Sequence, residues 1–235
     1  MDERGATLQI GENNLEFPAV PAKQGYSGID VSKLRASQGV VAYDPGFANT
    51  ASAQSAITYV DGAAGHLSHR GYAIEELANS CSFLEVAYLL LFRELPNQEQ
   101  MDNWVHDITY HTFIHENMRK RFMEGFHYDA HPMGMLTSAI AALSTFYPEA
   151  KDIFDEENRY KQINRLISKG PTLAAMAYRA SLGMPFVYPD NNLSYAENFL
   201  SMMWRVAEPA YKPDPVLSKA LDVLLIAGFL GVLVT

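Results

Sequence analysis

The chain has 235 residues, 48% of them hydrophobic and 19% charged, enough apolar surface for one large domain or for a domain with a small lobe. With 27 acidic residues against 18 basic ones, its formal net charge of −9 argues against nonspecific binding to nucleic acid or to an anionic membrane. Cys81 is the sole cysteine and excludes an intrachain disulfide; the charged opening MDERGATLQI lacks a signal-peptide pattern, so the expected compartment is a reducing cytoplasm.

To about Tyr72 the chain reads as extended and turn-rich. ATLQI and GVVAY are short β-prone runs, Asp44 to Phe47 (DPGF) is a turn, and ITYVDGAAGHL offers strand, Asp61-Gly62 turn, strand. Residues 1–72 are therefore expected to form a small β-rich lobe. From Ile74 the period becomes helical. Ser82 to Glu85 and Ser194 to Glu197 both match the capping box, in which a hydroxyl accepts one orphan amide and a carboxylate reaches back to another. Pro132 and Pro215 suit a first helical turn, where a missing N–H costs nothing.

Three apolar stripes recur at three- and four-residue steps: Met101, Trp104, Val105 and Ile108; Met133, Leu136, Ile140 and Leu143; and Leu217, Leu221, Leu224 and Leu225. Gly170-Pro171 and Gly183-Met184-Pro185 read as helix stops with restarts. Residues 73–226 are thus expected to be a multi-helix assembly with short connections. Residues 227–235 form an apolar tail, and the uncharged run from Val223 to Thr235 is shorter than the ~20 residues a membrane span needs.

Chemistry is sparse. No phosphate loop of the GxxxxGK[ST] kind, no GxGxxG after a strand and no GxSxG elbow is present. His111 and His115, four apart on an expected helix, would share a face, but HTFIHE is not HExxH and no third ligand follows at a telling spacing. They read as helix-face histidines rather than a metal site. Asp155-Glu156-Glu157 reads as N-terminal helix charge, Arg119-Lys120-Arg121 as a solvated face, and Cys81 as a small buried hydrophobe.

Several longer motifs carry a resemblance. GVVAYDPGFANTASAQSAITYVDGAAGHLSHRGYAIEELA, with HRGY at His69 to Tyr72, resembles the opening of bacterial hexameric-type (type II) citrate synthases. So do EVAYLLLF, HTFIHE, DAHPMGMLTSAIAALSTFY, LISKGPTLAAMAYR, GMPFVYPDNNLSYAENFLSMMW and ALDVLLI, in the same order, to Ile226. The resemblance implies a mainly α fold, the helical large-domain portion of a citrate synthase with a small β-rich N-terminal lobe. It also implies the family reaction, in which acetyl-CoA condenses with oxaloacetate to give citrate and CoA at the first step of the tricarboxylic acid cycle. An Asp and two His do its acid–base work, and arginines hold the carboxylates.

In the family, the segment matching ALDVLLI runs on into a His-containing LHADHEQN-type motif, a GPxHGG loop and an FGHR motif. This chain reads AGFLGVLVT there, and its last histidine is His131. The expectation is therefore an N-terminal half only: no catalytic residues, no bound cofactor, an incomplete fold that is inactive and aggregation-prone alone. The alternative is a noncatalytic assembly partner or NADH sensor of full-length citrate synthase subunits. A folded chain would form a homo-oligomer, dimer or hexamer.

The same resemblance places His111, Thr112, Tyr147, Arg165 and Lys169 at positions matching the NADH-contacting residues of this bacterial type. Arg165 and Lys169, one helical turn apart, would clamp a dinucleotide phosphate. Two departures weaken anion binding: Tyr110 stands where the family has Arg, and an associated cysteine is replaced near Glu208.

Overall fold

The structure, a computed structural model, describes residues 5–233, with the side chains of 5–228. The chain divides into two compact units, Met1–Ile74 and Glu75–Thr235. The tail expected from 227 onward falls almost wholly outside the described side chains.

The first unit holds three small antiparallel sheets. β1 (Ala6–Ile10) pairs with β2 (Asn13–Phe17) across the two-residue Gly11-Glu12 turn, where Gly11 supplies the positive φ of 63° that such a turn demands. β3 (Ala19–Val20) pairs with β4 (Gly28–Ile29), and the short helix α1 (Leu34–Gln38) ends at Gly39 in the left-handed conformation. β5 (Thr58–Asp61), β6 (His66–His69) and β7 (Tyr72–Ala73) form a meander. The Asp61 carboxylate accepts the N–H groups of Ala63 and Ala64 and so closes the first turn. At the second turn Arg70 and Gly71 take φ of 51° and 95°. Arg70 is held in that costly conformation by donating from its backbone to Ile57 O (2.7 Å) and from its guanidinium to Ala56 O (2.8 Å).

One expected strand does not form. GVVAY has no regular structure, and Val41 and Tyr43 stand exposed. β-propensity is realised only against a neighbouring strand, and the αL residue Gly39 turns this segment away with nothing to pair it.

The second unit is helical, as its periodicity predicts. α2 (Ile74–Ser80), α3 (Phe83–Phe92), α4 (Gln98–Tyr110), α5 (Pro132–Leu143), α6 (Glu156–Ser181), α7 (Tyr195–Trp204) and α8 (Pro215–Leu233) are joined by short connections, a π-helical turn at Met118–Phe122 and 3₁₀ turns at Met123–Gly125 and Pro148–Lys151. Both expected capping boxes form, and Asn97 with Gln100 makes a third at the start of α4. Asp155 caps α6, with Glu156 and Glu157 in its positive first turn. Asp222 of α8 accepts the N–H of Phe83 (3.0 Å), so α8 completes the N-terminal cap of α3.

The largest correction concerns α6. Gly170-Pro171 does not end a helix; it lies within one that runs 26 residues. Proline removes the N–H that would meet the carbonyl of Ile167, four residues back. The phenol of Tyr195 on α7 donates to that carbonyl at 2.8 Å, and its ring stacks on Phe83. The orphan acceptor is satisfied from outside, and the helix continues. Gly183 does end it, with φ of 67° and the N–H of Met184 returning to Arg179 O.

Ile114, Met118, Met123, Met135, Ala139, Leu143, Leu173, Met176 and Ala177 form the core between α5, α6 and the π-helical turn. A second cluster centres on Trp104, which is buried and donates to Leu84 O (3.1 Å) with Tyr88 and Phe92 at its edges. Two stripes are rotated from expectation. On α5 the buried face is Met135, Ala139 and Leu143 while Met133 and Ile140 are exposed; on α8 Ile226 is buried while Leu217 and Leu224 are exposed. Small Ala139 and Ala177 let α5 and α6 approach, which draws that face inward at the expense of the larger residues beside it.

Candidate functional site

The end of α4, the Pro148–Lys151 turn and the middle of α6 meet, and they bring together the five residues singled out from the sequence. α4 stops at Tyr110, with His111 as its C-cap. His111 and His115 therefore do not share a helix face; the backbone has left the helix before His115. Among the described residues, no group of three or more His, Cys, Asp or Glu is placed to hold a metal.

The segment from His111 to Phe113 is pinned to α6 through three consecutive carbonyls. Lys169 Nζ donates to His111 O and to Phe113 O (2.6 Å), and Thr172 Oγ1 donates to Thr112 O at 2.9 Å. Lys169 and Thr172 are three apart, so they lie on one face of α6 and reach the segment side by side. Thr112 Oγ1 lies 3.0 Å from both Thr109 O and Asn191 Oδ1. Its single proton serves one of these; with the Asn191 amide turned over, its NH₂ donates to the hydroxyl and both contacts are satisfied.

The five residues differ in what they offer a ligand. His111 Nδ1 lies 2.6 Å from Asp107 O, which makes Nδ1 the protonated nitrogen. Neutral His111 then keeps Nε2 as an acceptor, and protonated His111 presents it as a donor. Arg165 lies 4.1 Å from the centre of the Tyr147 ring, a cation–π contact, and its Nη1 pairs with Glu149 Oε1 at 2.5 Å. That pair holds the Glu149 carboxyl below its usual range, while burial pushes the Tyr147 phenol up.

Lys169 is different. It is only 3% exposed, its ammonium is engaged by carbonyls, and burial, helped by the Arg165 charge, pulls its pKa down to about 8. Of the expected two-cation clamp, Arg165 stays partly exposed at 18%; Lys169 is turned in and positions the His111–Phe113 backbone.

The departures have structural consequences too. Tyr110 is exposed and packs on His106, with ring centres 4.2 Å apart. The Glu208 carboxylate folds back into its own loop, where hydrogen bonds from its own backbone N–H and from those of Val206 and Ala207 lower its pKa. Beside Asn191, an open cleft of about 590 Å³ is lined by Phe113, Tyr188, Asp190, Asn191 and Arg205 among others. Glu149, Thr172 and Asn191 escaped the sequence reading. Only Thr172 carried a local signal, its position one turn beyond Lys169 on the same helix face.

A family model described as the C-terminal domain of citrate synthase matches residues 46–228. The chain belongs to the citrate synthase family. It is 55% identical over 195 residues to the peroxisomal citrate synthase of Dictyostelium discoideum, a match covering 80% of this chain and 39% of that protein. It is 44% identical over 221 residues to citrate synthase 1 of Mycobacterium tuberculosis, covering 94% of this chain and 51% of that protein. Among solved structures, citrate synthase from Pyrobaculum aerophilum superposes with a TM-score of 0.69 at 30% identity, over 77% of this chain and 46% of that one. The chain thus spans about half, or less, of the length of the citrate synthases it matches. The mainly helical architecture with small sheets is the family's, and no helix among the described residues is long and apolar enough to cross a membrane.

Proposed function

We propose that these 235 residues are the front portion of a bacterial-type citrate synthase: they supply scaffold and a regulatory dinucleotide site but not the acid–base groups of the reaction. The reaction itself, acetyl-CoA and oxaloacetate to citrate and CoA, belongs to the whole enzyme. The family match over residues 46–228 supports the citrate synthase part of this reading, and the meeting of His111, Thr112, Tyr147 and Arg165 supports the regulatory part. The motif order supports the hexameric bacterial subtype and with it a homo-oligomeric state; the charged opening and single cysteine support a cytoplasmic setting. The last histidine is His131, and no histidine of the described segment is paired with a carboxylate in the manner of a buried acid–base couple.

The gathering of His111, Thr112, Tyr147 and Arg165 favours a second role, sensing NADH within an assembly that includes complete subunits. These residues fit a dinucleotide in part. Arg165 would meet a phosphate oxygen, Tyr147 would shield the guanidinium from water, and His111 Nε2 would engage a ribose hydroxyl or, when protonated, a phosphate. Lys169 holds the backbone beneath them. Titration calorimetry of the chain tests both parts together. The reading predicts saturable heat with NADH, abolished in Arg165→Gln, and none with oxaloacetate. Saturable oxaloacetate binding would contradict the division of labour.

A further inference from the structure

We propose that Glu149 is a built-in competitor for the phosphate seat on Arg165, so that a dinucleotide phosphate reaches Arg165 Nη1 only by displacing this carboxylate. The proposal rests on the dinucleotide reading above and concerns how that site is regulated. The Arg165 side chain is 18% exposed, and its Nη1 pairs with Glu149 Oε1 at 2.5 Å. One face of the guanidinium lies over the Tyr147 ring, 4.1 Å from its centre. Lys169, the other cation nearby, is engaged by the carbonyls of His111 and Phe113 and leaves no second seat.

The competing carboxylate is built to be displaced. The Glu149 backbone is fixed, because Asn158 Nδ2 donates to Glu149 O (2.7 Å) and to Asp152 O (2.5 Å) and so anchors the turn to the start of α6. Tyr147 immediately precedes that turn and keeps its place over Arg165. Only the Glu149 side chain, 48% exposed, has to swing into solvent. An exposed ion pair competes weakly, by a factor of up to about five in binding. A diphosphate, with more charge and two or more oxygens for the guanidinium fork, outbids it. The carboxylate therefore sets a threshold for binding and discriminates against singly charged anions.

The test is fluorescence titration with NADH of the 235-residue chain, its Glu149→Gln variant and its Arg165→Gln variant at low ionic strength. Glutamine keeps the shape of Glu149 and removes the charge. NADH affinity is expected to tighten about fivefold in E149Q, with the gain shrinking as salt is added. Unchanged or weaker binding by E149Q, with binding still lost in R165Q, would overturn the competitor and leave the site standing. Absence of NADH binding by both the unsubstituted chain and E149Q would remove the site, and the proposal with it.

Discussion

Lys169 and Arg165 show how burial divides two cations that lie one turn apart. Position alone makes them a clamp; the carbonyls of His111 and Phe113 turn one of them into a structural bolt. That difference was not legible in the sequence, because the carbonyls belong to a segment more than fifty residues away. Its signature is a pH dependence of stability. The folded chain holds Lys169 with a pKa near 8, below the ordinary 10.5. Above about pH 8 the unfolded chain therefore binds more protons, so stability gains a rising contribution with pH, lost as pH falls through the folded value. The partly buried tyrosines Tyr147, Tyr160 and Tyr195 have pKa values raised by desolvation and act oppositely, but only once an unfolded phenol titrates, near 10. Urea titrations between about pH 7.5 and 9.5 are expected to show a positive slope approaching 1.4 kcal/mol per pH unit. Lys169→Met should flatten it; an identical slope in the variant would refute the assignment.

At the scale of elements, helix starts were the most legible feature, because a capping box is local chemistry: Ser82 with Glu85 and Ser194 with Glu197 need no distant partner. Helix ends and faces were less so. Gly170-Pro171 looks like a break until Tyr195, on another helix, supplies the donor that proline lacks. The rotated stripes of α5 and α8 have the same origin, since the neighbour that a face meets decides which apolar residues are buried. Tyr195→Phe keeps the stack on Phe83 and removes only the hydroxyl. It is expected to destabilise the chain by about 1–3 kcal/mol through the unsatisfied Ile167 carbonyl. It should also speed amide exchange around residues 167–171. A denaturation midpoint equal to that of the parent chain would show that water, not Tyr195, satisfies the carbonyl.

For the whole molecule, the family was readable from motif order, and the match over residues 46–228 with a mainly helical fold bears it out. The candidate site was readable as a set of positions but not as a balance of charges. Glu149, which pairs with Arg165, carries no motif, and its role emerges only when the 3₁₀ turn is folded against α6. The chain is thus a member of the citrate synthase family, and the proposed division of labour assigns it a regulatory anion seat and leaves the acid–base histidines of the condensation to the rest of the enzyme. The measurement that tests this most directly is release of free CoA thiol by the purified chain given acetyl-CoA and oxaloacetate, beside a full-length citrate synthase. The account predicts a trace indistinguishable from the protein-free control. Steady turnover that depends on oxaloacetate would contradict it and would place acid–base chemistry among the residues described here.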